Sequence, residues 1–431
     1  MKKALIIIVF QLSSVMAFSQ KQIYIPDSLK MMDLNNPESQ WCWKRSAQTE
    51  DLVFFWGKGF GNDCKHPPSL DGHAMSFDLD NLEDKVEKFY RFYRDSLRFL
   101  SPGSKAGRYK MMVMINYSLD GTAYGGAYDN FIGALWVAPN RIQDQKLNCL
   151  AHELGHSFQS QIVADSVGQP WGGGFCEMTS QWMLWQVNPD WVRDENYHWD
   201  AFKKLTYKAF LHVDNIYHSP YILEYWGMKH GLPFIAEMYR QGKSNEDVVM
   251  TYKRMTGLSQ RQFNDEMFDA NCHIVNFDYP RVWKETRPYA CSLNTHLLAR
   301  RNGWYEVADD NCPENYGFNA IPLSVPESGS KVKVYFKGLV DRDSIKIYKK
   351  AGWRYGFIGV TLQGKTIYGK MSRSSKGVLT FNKQDNVTLS HLYLVVMGAP
   401  KVHSPNPSFN NGEDEQWPYK VKFIGAQPLS K

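Results

Sequence analysis

Runs of apolar residues and runs of alternating polarity divide this chain of 431 residues into three stretches. In the first stretch, near-continuous apolar runs predict buried strands at Leu52–Trp56, Tyr109–Tyr117 and Phe131–Val137. Between the first two strands, apolar residues at helical spacing predict a helix from Leu82 to Leu100 that Asn81 caps. A glycine-rich segment, 121–129, reads as the connection to the third strand. Pro139 should end that strand, and Asn140 should cap the next long helix.

The second and third stretches differ in the period of their apolar residues. Helices are predicted to begin at Ser219-Pro220, near Leu232 and near Asn245, and Ser259 with Gln262 forms a capping box for another. After about residue 300, short alternating runs separated by Gly, Pro, Asn and Asp predict an antiparallel β-sandwich. These runs are 331–336, 343–348, 356–360, 378–381, 392–397 and 419–423.

The first 19 residues have the pattern of a signal peptide, so we expect an exported protein that lies outside the cell or in the periplasm. Lys2 and Lys3 precede an apolar run too short to span a membrane, and Ala17-Phe18-Ser19 offers small residues for cleavage. Cleavage there would lower the net charge from +6 to +4. That bias is too weak to indicate nucleic acid as a partner, and no later run predicts membrane insertion.

One motif carries chemistry: His152-Glu153-Leu154-Gly155-His156, an H-E-x-x-H sequence. Residues four apart share one helix face, so His152 and His156 can direct two imidazoles at one metal ion. Zinc suits imidazole ligands, and Glu153 can take a proton from a water molecule that the metal binds. An amphipathic helix carrying two histidines by chance is the alternative.

The order of strand, helix, strand, strand and metal helix resembles the gluzincin zinc metallopeptidases. The metzincin pattern is excluded, because Gln159 and Ile162 stand where it needs Gly and His. The chain also resembles secreted bacterial proteins of uncharacterised function. The resemblance implies an α+β fold: a two-lobed zincin-like domain over residues 20–300, with a mixed sheet, an active-site helix and a helical lobe. A C-terminal β-sandwich over residues 301–431 follows it.

In gluzincins the third ligand is a Glu on a following helix, and Glu177 stands at a similar spacing here. Asp165 is the rival ligand. Where thermolysin-like enzymes place an Asp that holds a ligand imidazole, this chain has Gln181, whose amide oxygen can accept the same hydrogen bond. A disulfide between Cys149 and Cys176 would join the two metal-bearing segments, and two buried thiols are the equal alternative.

The resemblance also implies a Tyr or His in the helical lobe that stabilises an oxyanion. Tyr217 and Tyr221 are the favoured candidates over His218, with simple packing of aromatic residues as the alternative for each. The resemblance thus implies a zinc peptidase with Glu153 as general base, acting on peptides or proteins, glycosylated ones included. The alternative is a glycan-binding protein with a weakly active or inactive metal site. Its sandwich would dock sugar through Trp353, Tyr355 and Trp417, although packing in the core is the favoured interpretation of these three residues.

The strand Phe131–Val137 is predicted to lie at the edge of its sheet, because Pro139 follows it directly. A peptide substrate would then pair with its free main-chain groups. The alternative is a strand inside the sheet.

Overall fold

The computed structural model of the protein describes residues 20–168, 174–327, 331–340, 350–383, 387–405 and 415–429. The predicted signal peptide and the strand predicted at 343–348 lie outside these ranges. Within them, no helix combines the length and the apolar character needed to cross a membrane. The architecture is mixed α+β, as the sequence predicts.

The first lobe is built on a five-stranded mixed sheet. Its strands are β1 (Ser46–Gln48), β2 (Leu52–Trp56), β3 (Met111–Ile115), β4 (Ala123–Tyr128) and β5 (Ile132–Val137), in the order β1-β2-β3-β5-β4. Strands β2, β3 and β5 are parallel to one another. Their residues are almost all buried, as expected for strands covered on both faces.

The prediction that Phe131–Val137 forms the edge is wrong. Strand β5 pairs with β3 on one side and with β4 on the other, so β4 is the edge strand. The segment predicted as a glycine-rich connection forms β4 itself and turns back into β5. Asp129 and Asn130 both adopt positive φ angles, 51° and 47°, and the Phe131 N–H donates to the Tyr128 carbonyl, as in a type I′ hairpin turn.

In the described part of the chain, the helices of this lobe are α1 (Asp27–Lys30), α2 (Leu79–Asp95) and α3 (Asn148–Ala164). Helix α2 begins three residues earlier than predicted, because the Asp78 carboxylate caps it by accepting from the Asn81 N–H. Helix α3 carries the H-E-x-x-H motif and begins at Asn148, not at Asn140, because residues 139–141 form a separate 3₁₀ turn. It is buried on most of its circumference between the sheet and the next helix.

The second lobe is helical, as predicted. Its helices are α4 (Gly174–Val187), α5 (Trp191–Asp194), α6 (Asn196–Leu205), α7 (Tyr221–His230), α8 (Pro233–Gln241), α9 (Val248–Thr256), α10 (Gln260–Asn276) and α11 (Trp283–Thr286). The capping box at α10 is confirmed: Ser259 and Gln262 each bond the other's backbone N–H.

The C-terminal stretch forms two stacked antiparallel sheets. Its strands are β6 (Leu297–Ala299), β7 (Trp304–Val307), β8 (Phe318–Leu323), β9 (Lys331–Gly338), β10 (Trp353–Thr361), β11 (Thr366–Ser372), β12 (Lys376–Asn382), β13 (Leu389–Gly398) and β14 (Tyr419–Ile424). The four-stranded sheet has the order β11-β10-β13-β8, and the five-stranded sheet has the order β12-β9-β14-β7-β6.

The four-stranded sheet is covered on both faces. Every residue of β10 is buried. One face meets the five-stranded sheet, and the core between them contains Trp353, Tyr355 and Trp417, each 0% exposed. Packing in the core is therefore confirmed for these aromatic residues, and they form no surface for sugar. The other face packs on α10, where Arg354 forms an ion pair with Asp265 at 2.6 Å.

Candidate metal centre

Two adjacent helices bring three ligand atoms to one point. His152 and His156 lie one turn apart on α3, and their Nε2 atoms are 3.1 Å from each other. Glu177 projects from the first turn of α4, and its Oε2 lies 3.1 Å from both Nε2 atoms. Two imidazoles and one carboxylate on a common centre are a group that can hold a metal ion.

The close approach of α3 and α4 depends on Gly155. A Cβ atom at this position would lie 2.8 Å from Ser180 Oγ and 3.2 Å from Ser180 Cα. Any larger side chain would push α4 away from α3 and move Glu177 away from the two imidazoles. The glycine inside the motif thus sets the distance between the ligand-bearing helices.

Each ligand histidine has a hydrogen-bond partner for its other nitrogen. His152 Nδ1 is 2.6 Å from Gln181 Oε1, which confirms the contact that the sequence predicts. His156 Nδ1 lies 3.1 Å from Gln159 Oε1 and 3.2 Å from Ser180 Oγ. An amide oxygen accepts a hydrogen bond from Nδ1–H, which keeps the proton on Nδ1 and leaves the lone pair of Nε2 directed at the shared centre. The contact of Gln159 could have been predicted from the sequence, since a residue three positions after His156 on a helix shares its face.

The charges of the group favour a cation between the three ligands. Burial alone would raise the pKa of Glu177, but hydrogen bonds from His152 and His156 outweigh it and hold that pKa well below its usual range. Burial works against a charged His156, yet the adjacent Glu177 carboxylate raises the pKa of this imidazole. The Glu177 carboxylate is therefore an anion, and its negative charge attracts a cation.

Glu153 lies beside the ligands and faces a cleft of about 660 Å³. Its Oε2 accepts a hydrogen bond of 2.8 Å from the Gly125 N–H on the edge strand β4. Burial raises the pKa of Glu153, against the opposing influence of the two histidines. A Cβ atom on Gly125 would lie 1.8 Å from the Glu153 carbonyl oxygen, so only glycine lets β4 pack this closely on α3. The sequence pattern does not reveal this role of Gly125, because the glycine-rich segment resembles a connection between strands.

A family model described as "Family of unknown function (DUF6055)" matches residues 15–430. The chain belongs to this family. No curated protein matches it. Among solved structures it is similar to the M60 catalytic domain with the CBM51-1 and CBM51-2 domains from Clostridium perfringens ZmpB, at 10% identity and a TM-score of 0.32. That match covers 91% of this chain and 60% of the other, so the chain spans about three fifths of the length of its structural neighbour.

The structure brings Tyr217 to the cleft of this DUF6055 chain and keeps Tyr221 away from it. The Tyr217 side chain is 43% exposed, and its ring centroid lies 6.1 Å from that of His152. Burial and the adjacent Glu177 carboxylate raise the pKa of Tyr217 to about 12, so its hydroxyl keeps its proton at neutral pH. Tyr221 is the first residue of α7 and is fully buried among aromatic residues of the helical lobe: Trp185, Trp199, Phe202 and Phe277. It is not positioned to act on a substrate in the cleft.

The remaining candidates have structural contacts of their own. Asp165 lies at the C-terminal end of α3, where its carboxylate accepts from Ser104 Oγ at 2.5 Å and from the Lys105 N–H at 3.0 Å. It is not among the three converging ligands. His218 Nδ1 lies 2.7 Å from His198 Nδ1, in the helical lobe. All seven cysteines lie in the described ranges, and none of them forms a disulfide.

Proposed function

We propose that this chain is an exported zinc-dependent hydrolase and that its substrates are peptides or proteins. The observation that carries the proposal is the convergence of His152, His156 and Glu177 within 3.1 Å of one another at the wall of a cleft. The carboxylate of Glu153 in the same cleft supplies the base that a hydrolase needs.

The ligand set fits zinc better than the common alternatives. Magnesium and calcium take oxygen ligands almost exclusively, whereas two imidazoles and one carboxylate are a common catalytic set for zinc. Three protein ligands leave a fourth position open toward the cleft. When bound, zinc lowers the pKa of a coordinated water to about 7 and polarises a carbonyl group. The contacts of Gln181, Gln159 and Ser180 on the imidazoles suit this role, since they fix both rings.

Glu153 transfers the proton of the attacking water, and Tyr217 stabilises the negative charge that develops on the substrate. The Gly125 N–H holds Oε2 of Glu153, which leaves Oε1 to accept a proton from a water molecule in the cleft. Glu153 then delivers that proton to the nitrogen of the leaving amine. The Tyr217 hydroxyl remains protonated at neutral pH and donates to the oxygen on which negative charge develops.

Strand β4 replaces β5 as the strand on which a peptide would lie. It is the edge of the sheet, it packs directly on α3, and Ala123, Tyr124 and Gly125 line the cleft. Apart from the Gly125 N–H, which donates to Glu153, the main-chain groups of this edge strand that face away from the sheet can pair with an extended peptide. This arrangement would place a peptide bond alongside Glu153. Sugar docking by the sandwich gains no support, because its three candidate aromatic residues are buried.

Metal analysis of the purified protein tests the ligand set. We expect one zinc per chain, and we expect His156→Ala and Glu177→Ala to lose it, while Asp165→Asn keeps it. Full zinc content in Glu177→Ala would show that the third ligand is wrong.

Replacement of Glu153 by Gln tests the chemistry separately from the metal. The amide keeps the shape of the side chain but cannot accept the proton, so we expect full zinc content and turnover of a peptide library lowered by about 10²-fold or more. Hydrolysis at the wild-type rate would exclude Glu153 as the base.

A further inference from the structure

The outer face of the five-stranded C-terminal sheet carries a dense array of lysines. In β9, Lys331, Lys333 and Lys337 point outward and alternate with buried residues that point into the sandwich. Lys376 of β12 and Lys420 and Lys422 of β14 lie on the same face. We call these six lysines the lysine face. The small net charge of the whole chain conceals it, because acidic residues elsewhere balance it.

The lysines stand directly beside one another across the strands. Lys337 is in register with Lys376 on one side and with Lys420 on the other, so three positive charges form a row across three adjacent strands. Like charges at opposed positions destabilise a sheet. Within the described ranges, no carboxylate forms an ion pair with any of the six lysines. Glu306, the acidic residue in register with Lys420, lies 3.4 Å from Arg300. Because these opposed positive charges have no carboxylate partner among the described residues, an external anion would relieve their repulsion.

Apolar side chains are interspersed among the lysines. Val378 is 54% exposed and Ile424 is 50% exposed, and they stand in register with Tyr335 and Lys333. At the next strand, the half-buried Trp304 has the Lys420 ammonium 5.1 Å from its ring centroid. Exposed aliphatic groups gain nothing from a hydrated polyanion, but they gain from contact with the apolar part of a lipid layer.

We propose that the lysine face is a docking surface for a membrane that contains anionic lipids. The lysines extend in two directions, since neighbouring strands lie about 4.8 Å apart and alternate residues of one strand about 6.7 Å apart. A lipid surface presents charge in two dimensions, as this face does, whereas a linear polysaccharide presents it along a line. Each lysine near an anionic membrane adds an independent attraction, so six of them hold the protein at the surface without insertion. The proposal does not depend on the hydrolytic site.

Sedimentation with lipid vesicles tests this proposal on the mature full-length protein. We expect binding to vesicles of phosphatidylcholine with 30% phosphatidylglycerol, little binding to pure phosphatidylcholine, and release as the salt concentration rises. In the triple variant Lys337→Gln, Lys376→Gln, Lys420→Gln, affinity should fall about fivefold per lysine, or about 100-fold in total. Its thermal stability should not fall, because the substitutions remove repulsion between opposed charges.

A matched variant separates the lysine face from overall charge. Lys44, Lys204 and Lys284 are exposed lysines elsewhere, and their change to Gln lowers the net charge by the same amount. We expect this control to bind vesicles like the wild type. Equal loss in both triple variants, or no binding to anionic vesicles at low salt, would overturn the proposal. Retention by a soluble sulfated polysaccharide or by nucleic acid without sedimentation with vesicles would also overturn it.

Discussion

Replacing Gln181 by Met would remove the hydrogen bond that orients His152, the first of the proposed zinc ligands, while keeping the length of the side chain. Gln181 Oε1 lies 2.6 Å from His152 Nδ1, and the two residues are 3% and 8% exposed. The thioether of Met is only a weak acceptor. Water has little access to this buried pair of side chains, so it cannot replace the lost hydrogen bond to His152 Nδ1.

The expected loss of zinc affinity follows from the difference between the metal-bound and metal-free states. When Nε2 binds a metal, Nδ1 must carry the proton, and a buried donor without an acceptor costs about 1–3 kcal/mol. Without metal, the imidazole can move its proton to Nε2 and avoid much of that cost. The loss therefore falls mainly on zinc binding, and 1–3 kcal/mol corresponds to an affinity about 5- to 150-fold weaker.

The assay is a zinc titration against a competing chromophoric chelator, combined with the free energy of unfolding of each variant. Gln186→Met is the matched control, because Gln186 lies on the same helix, is 6% exposed, and donates to Glu224 Oε2 at 2.6 Å. We expect it to lose stability but not zinc affinity. Gln159→Met should have a smaller effect on zinc than Gln181→Met, because Ser180 Oγ still lies 3.2 Å from His156 Nδ1.

Two results would refute this reasoning. Wild-type zinc affinity in Gln181→Met would show that the contact does not orient His152. Equal losses of zinc affinity in Gln181→Met and Gln186→Met would show that the effect acts through the stability of α4 and not through the ligand.

Three further predictions concern other parts of the structure. Tyr217→Phe should retain zinc but lower kcat about 10²-fold. Tyr221→Phe removes a buried hydroxyl that has no hydrogen-bond partner among the described residues, so it should keep wild-type kinetics. Gly155→Ala should destabilise the fold by about 1–3 kcal/mol and weaken zinc binding, because its Cβ would meet Ser180. Thermal denaturation measures the loss of stability, and Gly107→Ala is the control because a Cβ there would enter open space. Asp265→Asn should cost about 2 kcal/mol at pH 7 by leaving Arg354 without its carboxylate partner. Burial raises the pKa of Asp265, but the two arginines, Arg373 and Arg354, lower it below its usual value of 3.8. The difference in stability between Asp265→Asn and the wild type should therefore be fully present above about pH 4 and should vanish as acid protonates Asp265.

The features that the sequence predicts correctly are those set by local geometry. His152 and His156 share a face because they are four residues apart, and the capping box at Ser259 needs only one helical turn. The contact of Gln181 with His152 was also predictable, because its position relative to Glu177 fixes the direction of its side chain on α4.

The features that the sequence does not predict depend on contacts between distant segments. The order of β4 and β5 follows from pairing with β3, which no pattern inside either strand specifies, although Asp129-Asn130 is a hairpin signal. The burial of Tyr221 depends on aromatic residues from three other helical segments. The lysine face arises from the register of three strands, two of which are more than 40 residues apart in sequence.

The four-stranded C-terminal sheet, which is covered on both faces, limits how this family can change in evolution. Residues of this sheet, among them Ile358, Val395 and Met397, belong to the same apolar core as the helices of the second lobe. A sandwich attached by a linker can be lost or exchanged between proteins as a unit, but removal of this one would expose the apolar side of α10 to water. The family model matches residues 15–430 and therefore includes both parts, as expected if they are inherited together. An expression clone that stops near residue 300 would therefore be expected to yield aggregated protein, and not an isolated catalytic lobe.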